Sequence, residues 1–99
     1  MTALPPFTDF AKQLNTLFAA QTAHGPIELQ LVEAKELIEQ SGASMQAPVS
    51  LIFNNTSQPD MLLSEGIYQL EHPALGTLSL YVQPVFSGQP VPDYQVLIN

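Results

Sequence analysis

The clearest pattern in the chain lies between Gly66 and Pro84, where apolar and polar residues alternate in two successive stretches. The alternating apolar positions are Tyr68, Leu70, Leu78, Leu80 and Val82. A period of two residues is typical of β-strands that bury one face. Pro73 sets the backbone angle for the first corner of a turn, and Gly76 can adopt the left-handed conformation that closes it. The pattern therefore predicts a β-hairpin with Pro73–Gly76 as a four-residue loop.

Near the start of the chain, between Phe10 and Phe18, the spacing of the apolar residues is typical of a helix. The apolar positions are Phe10, Leu14, Leu17 and Phe18, which fall at i, i+4, i+7 and i+8. Thr8 is a suitable N-cap, and Asp9 suits the positive end of a helix dipole. Gly25 and Pro26 end the pattern. We therefore expect one N-terminal helix whose apolar stripe, with Leu14 and Phe18, packs on a sheet.

Three more stretches alternate like strands, at roughly 27–33, 48–54 and 94–98. Residues 34–40 fit either a bulged strand end or a single helical turn, and 41–47, 54–61 and 85–92 are rich in loop residues. Residues 1–6 are expected to form an irregular arm, because Pro5 and Pro6 suit neither a helix interior nor a central strand. Residues 7–99 then form a single α+β domain: an antiparallel sheet or small open β-barrel of about five strands with one N-terminal helix.

The strand pattern divides the apolar residues between two faces. The expected inward set is Leu29, Leu31, Leu51, Phe53, Tyr68, Leu70, Leu78, Leu80, Val82, Tyr94, Val96 and Ile98. Four apolar residues, Ile52, Ile67, Tyr81 and Leu97, fall on the opposite face. They form the exterior of a barrel, pack under the helix or form a contact surface for another protein, and we favour the contact surface.

Charge excludes several classes of function. The chain has nine acidic residues, two basic residues (Lys12 and Lys35), no arginine and a formal net charge of −7. Nucleic-acid binders neutralise phosphates with Lys and Arg, and anionic membranes attract basic surfaces, so neither partner is expected. There is no cysteine, which excludes disulfides and thiolate metal sites. The first residues carry neither a basic stretch nor a long apolar run, so we expect a cytoplasmic location.

The residues with catalytic or metal-binding potential do not form a recognised motif. His72 precedes Pro73 and is the first candidate, but a metal site needs three or more ligands, and His24 is the only other histidine. We therefore expect His72 to be a structural residue whose ring bonds a backbone carbonyl at the turn. The acids Asp60, Glu65, Glu71 and Asp93 lack the spacing of a calcium loop and are expected to form a solvated surface. We expect no enzymatic activity, no cofactor and no metal.

The hairpin also carries a family resemblance. The run Glu65-Gly66-x-Tyr68-x-Leu70-x-His72-Pro73-x-Leu75-Gly76 is preceded by Val49-Ser50-Leu51-Ile52-Phe53 and followed by Tyr94-x-Val96-x-Ile98-Asn99. It resembles a family of small bacterial domains without assigned function, over nearly the whole chain from Phe7 to Asn99. The most specific part is the Tyr-x-Leu-x-His-Pro-x-x-Gly motif. The resemblance implies an association with operons for phage-tail-like collar proteins, and it transfers no catalytic residue.

Two functions remain open from the sequence. The first is a structural or protein-interaction domain that binds a partner or itself through Ile52, Ile67, Tyr81 and Leu97, as an accessory of a phage-tail-like assembly. The alternative is a small-molecule-binding module whose pocket lies between helix and sheet and is lined by Tyr68, Tyr94 and phenylalanines. Exposure of Ile67, Tyr81 and Leu97 in the folded chain discriminates between them.

Overall fold

Six antiparallel strands, each hydrogen-bonded to two neighbours, form a closed barrel in the order β1-β2-β3-β6-β5-β4. The computed structural model describes residues 5–36, 48–58, 60–86, 88 and 90–98. Its elements are α1 (Phe7–Ala11), β1 (Leu17–Thr22), β2 (Gly25–Glu36), β3 (Val49–Asn55), β4 (Gly66–His72), β5 (Gly76–Val85) and β6 (Asp93–Ile98). The fold is therefore mostly β, with one short helix.

The β4–β5 hairpin is joined to the rest of the barrel only near its two ends. Its own strands pair continuously from Gly66 with Val82 to His72 with Gly76. On one side, β4 pairs with β1 through residues 70–71 and 19–20. On the other side, β5 pairs with β6 through residues 83–85 and 93–95. These two short ladders lie toward opposite ends of the barrel, so the hairpin crosses the barrel wall as a diagonal ribbon.

The two ends of the barrel differ in what covers them. At the end where β1, β3 and β5 begin, α1 leads into β1, and we call this the helix end. At the opposite end the connection 56–65 crosses from β3 to β4, which are not neighbours in the sheet, and we call this the loop end. The backbone N–H of Leu63 donates to the hydroxyl of Tyr94 at 3.0 Å, which fixes this connection over the barrel interior.

The apolar core fills the barrel and is continuous with the helix end. Its buried members are Phe10, Phe18, Ala20, Ile27, Leu29, Leu31, Val49, Leu51, Phe53, Leu63, Leu70, Leu78, Leu80, Val82, Tyr94 and Val96. Phe18 and Phe53 meet edge to face, with ring centroids 5.3 Å apart. Every residue of the expected inward set is in this core except Tyr68, which is half-buried and packs against it, and Ile98, which does the same.

The predicted N-terminal helix is present, but its predicted extent beyond Ala11 was wrong. The helix ends at Ala11, after five residues, and Leu17–Thr22 form a strand instead. Asn15 adopts a left-handed backbone with φ of 69°, and its N–H donates to the carbonyl of Leu31 at 2.6 Å. The chain therefore leaves the helix to pair with β2. Gly25 and Pro26 belong to the β1–β2 hairpin, and Pro6, without a side-chain hydrogen bond, occupies the N-cap position predicted for Thr8.

Strand β1, which the sequence analysis did not predict, explains the other difference from the predicted architecture. An open barrel of about five strands was expected, and the sixth strand, β1, closes it because it pairs with both β2 and β4. The predicted hairpin is confirmed, with a loop one residue shorter, because Gly76 already pairs with His72. Ala34–Glu36 continue β2, and the remainder of the ambiguous segment and the predicted loop, residues 37–47, lie outside the described residues, as do residues 1–4 of the arm.

We expect Phe10→Ala to lower the free energy of unfolding by about 3–5 kcal/mol, because a fully buried phenylalanine leaves a cavity when truncated. Leu14→Ala is the matched control. Leu14 is 38% exposed in the turn after α1, so its truncation should cost about 0.5 kcal/mol. Urea unfolding of both variants measures the difference, and similar losses would place α1 outside the core.

We expect Gly76→Val to lower the free energy of unfolding by about 1–3 kcal/mol, because Gly76 has a φ of 80°, where a β-branched residue is strained. Gly66→Val is the control. Gly66 lies in the same hairpin without a positive φ, and a Cβ there would meet open space. Equal denaturation midpoints for the two variants would contradict the turn geometry.

Candidate functional site

The four apolar residues predicted on the solvent side of the sheet do lie on the outside of the barrel. Ile67 is 72% exposed, Leu97 48% and Tyr81 43%, while Ile52 is half-buried. They come from β3, β6, β5 and β4, which are consecutive neighbours in the barrel. We call these four residues the outer patch.

Strand pairing places the members of the outer patch in two adjacent pairs. Ile67 on β4 is directly opposite Tyr81 on β5. Ile52 on β3 is opposite Gln95, so Leu97, two residues further on β6, is its diagonal neighbour on the same face. Directly opposed and diagonal side chains on one face are within contact range. The outer patch is therefore a local apolar surface along two strand pairs.

Uncharged side chains occupy the positions between these four residues. Alternation along the strands turns the following residues outward beside the patch: Ser50, Gln69, Ser79, Gln83 and Gln95. The side-chain amide of Gln95 donates to the hydroxyl of Ser50 at 3.2 Å, so the two polar groups satisfy each other. These residues need little polar desolvation when another surface approaches, whereas the carboxylates of Glu33, opposite Ile52, and Glu65, bonded to Tyr81, lie at the border of the patch.

The hydroxyl group of Tyr81 is held in place by a hydrogen bond. Its hydroxyl donates a hydrogen bond to the carboxylate of Glu65, which lies just before β4. This hydrogen bond to the carboxylate, together with desolvation and the negative charge, raises the pKa of Tyr81. The ring itself remains available to a partner, and its orientation is set before binding.

His72 lies elsewhere, at the helix end, and is buried. The backbone N–H of Ala74 donates to its Nδ1 at 3.0 Å, so this nitrogen carries no proton. Its Nε2 lies 2.9 Å from Oγ1 of Thr16, which itself donates to the carbonyl of Gln13 at 2.6 Å. The ring is therefore the neutral Nε2–H tautomer in a chain of hydrogen bonds that joins the β4–β5 turn to the segment between α1 and β1.

The hydrogen-bond partner of the ring at the turn differs from the one predicted, and a structural role for His72 stays a prediction. The ring accepts from a backbone N–H, where a bond to a backbone carbonyl was expected. The signal that the sequence lacked is Thr16, which is 56 positions away. Pro73 follows in the exposed turn, and Gly76 closes it with a positive φ, so both have the predicted structural roles.

The described residues contain no cluster of three or more metal-binding side chains. His24 is exposed in the β1–β2 turn at the loop end, whereas His72 is at the helix end, so the two imidazoles cannot share a ligand. Asp60, Glu65 and Glu71 are exposed, Asp93 is half-buried, and Glu65 is the hydrogen-bond acceptor of Tyr81.

A cleft lies beside His72 on the outer face of β1. It measures about 660 Å³ and includes Leu17, Ala19, Glu28, Glu71 and Pro73 in its lining. Ala19 is directly opposite both Glu28 and Glu71, so two carboxylates stand on either side of a small residue. The sequence analysis missed this cleft, because it depends on β1 being a strand.

The sequence from residue 5 to residue 98 matches the model of a protein family described as a domain of unknown function (DUF6916). The chain belongs to this family. A family without assigned function was also what the resemblance implied, whereas the Tyr-x-Leu-x-His-Pro-x-x-Gly motif as its hallmark and the link to phage-tail-like operons stay predictions. No curated protein and no solved structure matches the chain. Among the described residues of this DUF6916 domain, no helix has the length and apolar character needed to cross a bilayer.

We expect the stability of the DUF6916 domain to fall as the pH is lowered below about 6.5, because burial lowers the pKa of His72 in the folded state. The unfolded chain then binds the proton more readily, so stability is fully present above 6.5 and is lost as the pH falls toward the folded pKa. Protonation would also put a hydrogen on Nδ1 of His72, where it would face the backbone N–H of Ala74 and remove the hydrogen bond between them. Urea unfolding between pH 7.5 and 5.5 measures the slope.

The control for this prediction is His24→Gln, since His24 is exposed at the other end of the barrel. The slope should persist in His24→Gln and disappear in His72→Gln. A slope that persists in His72→Gln would assign the pH dependence to other groups.

Proposed function

We propose that this DUF6916 domain is a non-enzymatic protein-interaction domain that binds a protein partner through the outer patch. The observation that carries the proposal is the exposure of Ile67, Tyr81 and Leu97 on neighbouring strands of a closed barrel. Single exposed apolar residues are ordinary on protein surfaces, whereas adjacent ones that include an aromatic ring are typical of interfaces.

The charge distribution supports a protein partner over a nucleic acid or an anionic membrane. The chain has two basic residues against nine acidic ones, so it lacks the cations that would neutralise phosphates. Most side chains around the outer patch are amides and hydroxyls, which desolvate at lower cost than charged groups, and its charged neighbours are the carboxylates of Glu33, opposite Ile52, and Glu65, bonded to Tyr81. A protein surface with apolar residues and hydrogen-bonding groups is the complementary partner.

The rigidity of the β4–β5 hairpin also supports this function. The hairpin carries Ile67 and Tyr81 as a directly opposed pair, and Glu65 fixes the hydroxyl of Tyr81. A surface that is ordered before binding loses less conformational entropy when the partner arrives. The hairpin is therefore suited to present its outer face without rearrangement.

The biological setting that we propose follows from the family resemblance. An accessory of a phage-tail-like assembly in the bacterial cytoplasm would meet many protein surfaces, and an interaction domain fits that role. The alternative, a small-molecule pocket between helix and sheet, needs Tyr68 and Tyr94 near α1. Both lie toward the loop end, away from α1, and their hydroxyls bond the connection 56–65 at Ser64 and Leu63.

We expect Tyr81→Glu to abolish capture of the partner, because it places a charge at the centre of the outer patch. Immobilised wild-type domain, Tyr81→Glu and Thr56→Glu are each incubated with a lysate of the source bacterium, and the retained proteins are quantified by mass spectrometry. Thr56→Glu is the control, because Thr56 is exposed outside the patch. Sedimentation of each variant at increasing concentration tests self-association in the same way.

A protein retained by the wild type and by Thr56→Glu, and lost with Tyr81→Glu, supports the proposal. The thermal midpoint of Tyr81→Glu should stay close to that of the wild type, because Tyr81 lies outside the core. Equal retention by Tyr81→Glu, or a lowered midpoint that accounts for the loss, would contradict the outer patch as a binding surface.

A further inference from the structure

The barrel is incompletely paired where β1 meets β4. The ladder between them covers residues 19–20 and 70–71 and stops there. Toward the loop end, Gly66, Ile67 and Tyr68 continue β4 and pair with β5, and among the described strands they have no second partner. Gln21 and Thr22 likewise continue β1 and pair with β2 alone. We call this unpaired stretch the seam.

A groove of about 420 Å³ follows the seam at the surface. The end of β1 and its turn form one wall, and Ile67 and Tyr68 form the other. Residues 61–64 of the connection that crosses the loop end complete the lining. Two of the most exposed apolar side chains of the described chain, Ile67 at 72% and Leu62 at 61%, stand on its rim.

Side-chain hydrogen bonds fix the connection beside the groove without using the backbone groups of the seam. The hydroxyl of Tyr68 donates to the carbonyl of Ser64 at 2.7 Å. Asn55, at the end of β3, donates from its side-chain amide to the carbonyl of Met61 at 3.1 Å. The connection is therefore fixed beside the edge of β4 and leaves that edge accessible.

Two carboxylates flank the groove. Asp60 and Glu65 stand at either end of the lining segment 61–64, and the lining itself contains the imidazole of His24 and no carboxylate. Both basic residues of the chain, Lys12 after α1 and Lys35 late in β2, lie toward the helix end. The carboxylates at the loop end therefore have no lysine or arginine of this chain beside them.

We infer that the seam binds an extended, basic segment of the partner protein, which adds as a strand to the free edge of β4. Strand addition satisfies the backbone groups of an open sheet edge, and alternate side chains of the added strand supply specificity. Apolar side chains of the segment contact Leu62 and Ile67, and its lysines or arginines face the loop-end carboxylates. The inference rests on the proposed function, because it specifies the chemistry of the same partner.

Charge also argues against a second copy of this chain as the occupant. A second copy would bring a net charge of −7 and only two basic residues, both distant from its own loop end. Like charges placed opposite each other at an interface reduce affinity and slow association. A basic segment gains from the same field, so its affinity should weaken as salt is added.

The test is a selection of random 12-residue peptides displayed on phage against the wild-type domain, with Leu62→Gln as the counter-selection target. We expect the enriched peptides to alternate apolar residues with lysine or arginine. Synthetic copies should bind the wild type with a Kd at least tenfold below that for Leu62→Gln. Leu17→Gln is the matched control, since Leu17 is an exposed leucine at the helix end, outside both the outer patch and the lining of the groove, and its Kd should equal that of the wild type.

Backbone pairing has its own readout. Amide hydrogen exchange should slow on binding at those of Gly66, Ile67 and Tyr68 whose N–H groups point away from β5, and methylation of alternate backbone nitrogens along one edge of the peptide should remove binding. Acidic or helix-patterned enriched peptides, unchanged exchange at these amides, or no enrichment over Leu62→Gln would each overturn the inference. Peptides weakened by Leu97→Gln or Tyr81→Glu and not by Leu62→Gln would overturn it while leaving the proposed function intact.

Discussion

Closure of this barrel depends on a very short ladder, the pairing of Ala19 and Ala20 with Leu70 and Glu71. Without it, β1 and β4 would be the two edges of an open sheet, and exposed edges invite pairing with other chains. The residue types suit the position, because Ala20 and Leu70 point into the core while the small side chain of Ala19 lets the strands approach. Phe18, one position earlier on β1, then stacks beside His72 with centroids 4.4 Å apart.

His72 adds a second attachment at the same corner. Its two ring nitrogens connect the β4–β5 turn, through Ala74, to Thr16 at the start of β1. Thr16 and Ala74 both lie near the ladder that closes the barrel, so the hydrogen bonds of the ring reinforce the strand pairing there. Toward the loop end of the boundary between β1 and β4, the described residues show no such hydrogen bonds between the two strands. This part of the boundary is the seam. The boundary between β1 and β4 thus contains both the ladder that closes the barrel, with the hydrogen bonds of His72 beside it, and the unpaired seam.

The sequence predicted the elements whose pattern and turn chemistry agreed. Tyr68, Leu70 and Leu78 alternate across a Pro–Gly turn, so β4 and β5 could be assigned, and with them the outward positions of Ile67 and Tyr81. Residues 17–22 could not, because Leu17 and Phe18 continue the helical spacing of Phe10, and alanine and glutamine favour a helix. The strand forms because β2 and β4 both offer edges to it, which is tertiary information. The seam, the cleft at Ala19 and the Thr16–His72 bond follow from β1 and were hidden for the same reason.

Because side chains alternate between the two faces of β4 and β5, natural selection for folding and natural selection for the proposed binding act on different residues of the same strands. Leu70, Leu78 and Leu80 point inward and determine whether the chain folds, whereas Ile67 and Tyr81, on the same two strands, point outward. Under the function proposed above, a substitution on the outer face would change binding with little effect on the free energy of folding, and one on the inner face would do the reverse. Members of the family would then exchange one partner for another by point mutation while the barrel is retained, so that specificity would diverge within an unchanged scaffold.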